Sequence, residues 1–238
     1  MFQVKIILVE PAGERNIGSI ARVMRNMGLS QLTIVNPRCD HLSEDAKIMA
    51  VHGIEVLEKA NIVHSLPQAL QGCQRAIATT ARERDVPTLL ETPRQAIPWL
   101  KGANITSALI FGPEDRGLSN QELSYAQRFV CIPANPEYPS LNLAQAVGIC
   151  AYELYQLSQE SPIQQDSSLE DLANIDELEG YYQHLESVLL QVNYLYSHTA
   201  PKKMEKLRRI INRTNLTRQE LATIRGILRQ IEWSIDHK

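Results

Sequence analysis

Leu109-Ile-Phe-Gly-Pro-Glu-Asp-Arg-Gly-Leu-Ser-Asn120 and, shortly after it, Ile132-Pro-Ala-Asn-Pro-Glu-Tyr-Pro-Ser-Leu-Asn-Leu-Ala144 are built alike. Each leaves a short apolar run, crosses a loop dense in Gly, Pro and Asn, and enters a helical pattern. Open α/β sheets put their ligand sites outside such strand ends. Gly112, Gly117, Pro113, Pro133, Pro136 and Pro139 fix the backbone while leaving few bulky side chains in the way. The polar groups here, Glu114, Ser140, Asn135 and Asn142, suit a polar organic cofactor better than a metal. Tight turns alone explain one such loop more easily than two that feed neighbouring strands.

The same alternation extends outward in both directions. Strand-like apolar runs lie at Val4–Val9, Leu32–Val35, Asn61–Val63, Ala76–Thr80, Ala108–Phe111 and Phe129–Ile132. Helical patterns separate them: Ile17, Ile20, Ala21, Met24 and Met27 up to Gly28, then Glu44–Lys59, Leu66–Gln71, Pro93–Leu100, Asn120–Ala126 and Asn142–Leu157. Alternating strands and helices predict an α/β domain over residues 1–157, with a mostly parallel sheet and helices on both faces. Residues 158–174 read as an acidic and polar linker, Gln- and Ser-rich at its start and with little means of packing. Residues 175–238 read as a small helical extension with helices at Ile175–Val192, Pro201–Ile211 and Thr217–Ser234.

At 238 residues the chain can bury a proper core, and 44% apolar with 21% charged residues is ordinary for a soluble globular protein. A net charge of −3 conceals an asymmetry. Ser158–Glu186 carries eight acids and no Lys or Arg, whereas Pro201–Gln230 carries nine Lys and Arg against Glu205 and Glu220. Cys39, Cys73, Cys131 and Cys150 are far apart, with no C-x-x-C and no His at ligand spacing, so neither a zinc site nor a disulfide framework is signalled. The first ten residues lack the features of a secretory signal, and no apolar run approaches membrane-spanning length; a cytoplasmic protein is expected.

Two further loops carry candidate chemistry. In Glu10-Pro-Ala-Gly-Glu-Arg-Asn-Ile-Gly-Ser-Ile-Ala-Arg22, Gly13 and Gly18 have P-loop spacing, but Ser19 stands where a P-loop needs Lys. ATP hydrolysis is therefore not indicated, and no G-x-G-x-x-G exists to signal a dinucleotide. What remains is a helix N-terminus able to receive a phosphate. Arg22 falls nearly opposite the apolar stripe of this helix and by itself reads as a solvated surface residue. Thr79-Thr-Ala-Arg-Glu-Arg84 offers two hydroxyls and two guanidiniums at a strand end, which fits a cofactor or phosphate site and equally an ordinary polar loop.

Taken together, Asn16-Ile-Gly-Ser-Ile-Ala-Arg22, Phe111-Gly-Pro-Glu-Asp-Arg-Gly-Leu-Ser119 and Pro139-Ser-Leu-Asn-Leu-Ala144 resemble, in order and spacing, the three signature motifs of the SpoU/TrmH branch of the SPOUT RNA methyltransferases. The match spans almost all of residues 1–157. Thr79-Thr-Ala-Arg82, Ala134-Asn-Pro-Glu-Tyr138 and the tail helices resemble more narrowly a group that methylates the ribose 2′-hydroxyl of cytidine or uridine 32 in the tRNA anticodon loop. The resemblance implies a trefoil knot in the C-terminal part of the sheet, which ordinary topology rules disfavour, and a homodimer whose sites are built from both chains. It implies S-adenosylmethionine held by Thr79, Thr80, Ala81, Gly112, Ile132, Pro139, Ser140 and Leu141, with no metal.

It further implies that Arg22 acts on the ribose hydroxyl, with Asn16, Glu114, Ser140 and Asn142 orienting Arg22 and the ribose. Because a free guanidinium keeps its proton to about pH 12, Arg22 suits alignment and charge stabilisation better than proton abstraction. RNA contacts are expected from Arg15, which replaces the family's usual Gly, from Arg82 and Arg84, and from Lys202, Lys203, Lys206, Arg208 and Arg209. The competing expectations are a 2′-O-methyltransferase acting on ribosomal RNA or another tRNA position, and an RNA-binding protein without catalysis.

Overall fold

The computed structural model describes residues 3–80, 89–102, 105–159 and 171–237. Its first strand, β1 (Gln3–Val9), shows why the strands read as unbroken apolar runs. Ile6 and Leu8 enter one core cluster while Ile7 and Val9 enter another, so the strand is buried on both faces. β2 (Leu32–Val35), β3 (Asn61–Val63), β4 (Arg75–Thr79), β5 (Leu90–Glu91), β6 (Thr106–Phe111) and β7 (Arg128–Val130) complete a seven-stranded sheet of order β3-β2-β1-β6-β4-β7-β5. Every pairing is parallel. The carboxyl ends of β1, β6, β4 and β7 are therefore neighbours, and all the loops singled out from the sequence leave from those ends.

One face of the sheet is covered by α1 (Glu14–Asn26), α2 (Glu44–Ala50), α3 (Ile54–Glu58) and α7 (Leu143–Gln159). α1 presents Ile17, Gly18, Ile20, Ala21 and Met24 inward, the stripe its periodicity requires. The opposite face is covered by α4 (Leu66–Ala69), by the region of α6 (Asn120–Leu123), and by Ile175 of the C-terminal helices. α5 (Pro93–Ala96) runs on into a 3₁₀ turn over Ile97–Leu100.

The helix expected over Glu44–Lys59 is divided, because Val51 takes a left-handed φ of 50° and Val51–Gly53 forms a 3₁₀ turn. That step lays Gly53 against α1, where a Cβ would stand 2.7 Å from the Ala21 carbonyl. β5, which the apolar pattern does not announce, is only two residues long and too short for any periodicity.

α8 (Ile175–Gln191), α9 (Ala200–Asn212) and α10 (Arg218–Asp236) share a cluster of their own, including Leu178, Tyr182, Leu185, Val188, Met204, Leu221 and Leu228. These helices are tied to the sheet by specific bonds. The Ile175 N–H donates to the Cys73 carbonyl at 2.8 Å, and Gly72 N–H donates to Asp176 at 3.0 Å. Buried Asn212 donates to the Ser124 carbonyl at 2.9 Å while accepting from the Tyr182 hydroxyl at 2.7 Å. Both polar ends of a buried amide are thereby satisfied.

Candidate active site

A cavity of about 870 Å³, its open mouth included, lies at the carboxyl ends of β4, β6 and β7. Its wall contains Thr79, Thr80, Gly112, Ile132, Pro139, Ser140 and Leu141, which are all the expected cofactor residues except Ala81. Ala81, with Arg82 and Arg84, lies outside the described residues. The loop after β6 turns back on itself so closely that a Cβ on Gly112 would stand 2.4 Å from the Leu118 amide nitrogen. Gly117 closes the turn at a left-handed φ of 64°, its N–H donating to the Pro113 carbonyl at 2.9 Å. Thr79 turns its hydroxyl to the Ile110 carbonyl at 3.0 Å, pinning the ends of β4 and β6 together.

Beside this cavity one hydrogen-bonded chain links three loops distant in sequence. Glu114 accepts from the Ala12 N–H at 3.1 Å, the Gly13 N–H at 3.2 Å and the Asn16 side-chain amide at 2.8 Å. The Asn16 carbonyl oxygen in turn accepts from the Asn142 amide at 2.9 Å. Asn142 uses its own carbonyl oxygen on the Ala144 N–H at 2.9 Å, capping the start of α7. Partial burial pushes the Glu114 carboxyl up, but the Asn16 and backbone N–H donors together outweigh it, and the group sits below its ordinary range. Glu114 is thus an ionised brace with its lone pairs committed.

A second set of charges holds the same loop from outside. Arg38 donates two parallel bonds to Asp115, at 2.9 and 3.1 Å, and a third to the Glu10 carbonyl at 3.0 Å. Arg116 grips Glu122 at 2.8 and 2.9 Å and reaches Glu10 at 3.0 Å. Fork-to-fork geometry of this kind fixes orientation as well as charge. Sequence reasoning missed Arg38, Asp115, Arg116 and Glu10; the one available signal was the packing of opposite charges into Glu114-Asp-Arg116. Asn135, read as a possible cofactor contact, accepts from the Glu137 N–H at 3.0 Å and serves its own turn.

The remaining expected residues are dispersed. Arg22 is exposed on α1 and makes no ion pair or side-chain hydrogen bond among the described residues, so within one chain it does not join Asn16, Glu114 and Asn142. Ser140 is exposed at the cavity wall. Arg15 extends into solvent and meets Asp45 at 3.0 Å. On α9, Lys202 and Lys206 are exposed, Lys203 donates to the Tyr194 carbonyl at 2.9 Å, and Arg209 lies 3.9 Å from Glu205.

Arg208 corrects the sequence reading. Its guanidinium binds Glu179 at 2.6 and 2.7 Å, packs over the rings of Tyr182 and Tyr125, and keeps only 14% of its side chain exposed. It holds α9 to α8 and is not presented to a phosphate. Among the described residues no group of three or more His, Cys, Asp or Glu could hold a metal ion, and no helix is long and apolar enough to cross a membrane.

Burial raises the thiols of Cys73 and Cys150 to about 11 and about 12, which makes them inert packing groups. Cys131 is only partly buried.

Comparison with known proteins agrees with this layout. Residues 3–152 match the model of the SpoU rRNA methylase family, and residues 176–238 match that of the C-terminal domain of tRNA methyltransferase TrmJ. The tRNA (cytidine/uridine-2′-O-)-methyltransferase TrmJ of Pectobacterium atrosepticum is 40% identical over 240 residues, covering 98% of each chain. The crystal structure of TrmJ from Z. mobilis ZM4 superimposes with a TM-score of 0.86 at 33% identity, covering 96% of this chain and 98% of that one. A structure described as giving insight into 2-OH methylation of C/U34 on tRNA matches with a TM-score of 0.52 at 26% identity, but covers only 67% of this chain. With its fold, its joined motif loops and its C-terminal helices all matched, the chain belongs to the SpoU methylase family and, within it, to the TrmJ group.

Proposed function

We propose that this chain methylates the ribose 2′-hydroxyl of cytidine or uridine at position 32 of the tRNA anticodon loop, as a cytoplasmic homodimer using S-adenosylmethionine. The observation that carries the reading is the Glu114–Asn16–Asn142 chain, which joins the three motif loops at the rim of a cavity walled by the expected cofactor residues. The cavity suits the cofactor because it is made of backbone-rich loops and small side chains, with the Gly112 approach leaving the wall flat. We read the segment from Gly112 to Asn142 as the trefoil knot around it. S-adenosylmethionine, when bound, supplies an electrophilic methyl group on sulfur.

Thr79, Thr80, Gly112, Ile132, Pro139, Ser140 and Leu141 would hold that cofactor, much of the grip coming from backbone groups. Arg22 would align the ribose hydroxyl and stabilise the negative charge that grows on its oxygen. Ser140 stands nearest the chemistry, while Asn16, Glu114 and Asn142 keep the loops in register as positioning residues. The dimer reading is supported by an unpartnered apolar face on both sides of α1: Ile149 and Tyr152 on α7, and Ile48 and Met49 on α2, are all exposed. Under this reading Arg22, which is exposed and does not meet Asn16, Glu114 and Asn142 within its own chain, would serve the site of the partner chain. Lys202, Lys206, Arg15, Arg82 and Arg84 remain as phosphate contacts under this reading.

A second reading, methylation at position 34, has the structural relative just named in its favour. That match leaves a third of this chain uncovered, which is why position 32 is preferred. Incubation of the protein with methyl-labelled S-adenosylmethionine and total RNA, containing both tRNA and ribosomal RNA, followed by mapping of the modified nucleotide, decides between them. Label in the ribose of nucleotide 32 is expected. Label at 34 or in ribosomal RNA alone would overturn the position, and no transfer to any RNA despite cofactor binding would overturn the activity.

A further inference from the structure

The basic stretch from Pro201 to Gln230 contains two populations of cations with different fates. On α9, Arg208 is spent on Glu179, Arg209 lies toward Glu205 and Lys203 binds the Tyr194 carbonyl and ring, which leaves Lys202 and Lys206 exposed. On α10, Arg225 and Arg229 have no ion pair and no side-chain hydrogen bond among the described residues. Both line a groove of about 720 Å³, open to solvent, between α8 and α10, with His184 and the Glu177–Arg218 pair on its walls. The acids beside it are engaged, Glu177 with Arg218 at 3.2 Å and Glu232 with His184 at 3.3 Å.

Arg225, Arg229, Trp233 and His237 follow one another at four-residue steps, a ridge along one side of α10. Successive members are about 6 Å apart along the axis, comparable with the spacing of successive phosphates on an extended strand. Trp233 is 56% exposed and stacks on His237, with ring centroids 4.5 Å apart and planes 22° from parallel. An exposed, pre-ordered aromatic pair next to unpaired guanidiniums is the combination that binds unstacked nucleotides, charge on the backbone and ring on the base.

We propose that this ridge is an RNA-docking surface: Arg225 and Arg229 take consecutive phosphates, and Trp233 stacks on an unpaired base beside them. The inference rests on the tRNA reading above and relocates its main contact from α9 to α10. The partner is RNA because two unpaired guanidiniums and an exposed indole lie together on one ridge, whereas a protein partner would be served by the indole alone.

The test compares full-length wild type with Arg225→Ala/Arg229→Ala, Trp233→Ala and Lys202→Ala/Lys206→Ala, using a tRNA transcript titrated at several salt concentrations. The arginine pair should weaken binding at least about tenfold and flatten the dependence of log K on log salt by roughly 1.4 to 1.8, two phosphates' worth. Trp233→Ala should cost about tenfold with little change in slope, and the lysine pair should cost less than the arginine pair. Unchanged melting temperature and unchanged S-adenosylmethionine affinity show that the variants are folded. Unaltered affinity and slope in the arginine variant would overturn the proposal.

Since Trp99 and Trp233 are the two tryptophans of the chain, Trp99→Phe isolates the signal of Trp233. Quenching by a single-stranded oligoribonucleotide is expected; absence of quenching by RNA, or a signal that follows protein concentration instead, would overturn the stacking contact. A wild type that binds tRNA through the ridge but transfers no methyl refutes the methylation reading and leaves the ridge standing. Methyl transfer with binding indifferent to the ridge does the reverse.

Discussion

Glu114→Gln removes one charge and almost no volume, so its consequences follow from hydrogen-bond polarity alone. One carboxylate oxygen faces the Ala12 N–H, while the other faces the Gly13 N–H and the Asn16 amide. A glutamine must put its NH₂ against one of these donor sets. The cheaper choice sacrifices the Ala12 bond and keeps Asn16. A hydrogen bond to a charged group is worth about 1.5–3 kcal/mol, but Glu114 is substantially exposed and solvent screens it, so the expected loss is about 1–2 kcal/mol. In a chain of this size that lowers the melting temperature by about 2–8 °C.

Turnover should suffer more than stability. Loosening the link to Asn16, and through it to Asn142, lets the loops beside the reactive end shift, and a displacement of about 1 Å can cost roughly 100-fold in rate. We expect kcat to fall about 10- to 100-fold in single-turnover methyl transfer, with S-adenosylmethionine affinity changed little. The pH dependence has a defined sign. The carboxyl is held below its unfolded value of 4.5, so its stabilisation is complete above about that pH and is lost as pH falls through the folded value. The stability gap between wild type and Glu114→Gln should therefore be constant near neutrality and close on acidification. A variant with turnover within about threefold of wild type, and a gap that ignores pH, would refute the bracing role.

Arg22→Ala should leave the melting temperature within about 1 °C, because exposed positions contribute little, and leave cofactor binding intact, while methyl transfer falls at least about 100-fold; near-normal transfer would remove Arg22 from the reaction. Gly112→Ala drives a Cβ against the Leu118 nitrogen, and should cost about 1–3 kcal/mol in a denaturant titration together with cofactor affinity measured by calorimetry. Arg208→Ala leaves Glu179 unpaired among aromatic rings and should cost about 3–5 kcal/mol, most of it recovered in the paired Arg208→Met/Glu179→Leu chain.

How much of this is visible in the sequence differs with the physics of each element. β1, β2 and β6 are buried on both faces, and such strands have to be apolar throughout, so their runs mark them within one or two residues. The division of the Glu44–Lys59 helix has no local cause: it arises where Gly53 meets the Ala21 backbone, a contact between segments thirty residues apart. The cavity wall is legible because Gly, Pro and small polar residues in strand-end loops have few other uses. The Glu114 chain is legible only as membership of a site; a sequence can name three polar residues without saying that Glu114 spends both its oxygens on the Ala12–Asn16 turn.

The basic extension shows where composition misleads. A count of cations treats Arg208 and Arg229 alike, yet the two are separated by what lies one helical turn away. Met204 and Asn212, four residues to either side of Arg208, are both buried, which places Arg208 on the packed face of α9, where Glu179 can neutralise it. Arg225 is half-buried and Arg229 exposed on α10, and their four-residue successor is Trp233, an exposed aromatic. Four-residue spacing of Arg225, Arg229 and Trp233 is legible in the amino-acid sequence itself. The identity of the acid that neutralises a given arginine is not legible there, because Glu179 and Arg208 meet only when α8 and α9 pack. Charge available to a partner is thus a property of the fold, and salt dependence of tRNA binding measures it more directly than any count of Lys and Arg.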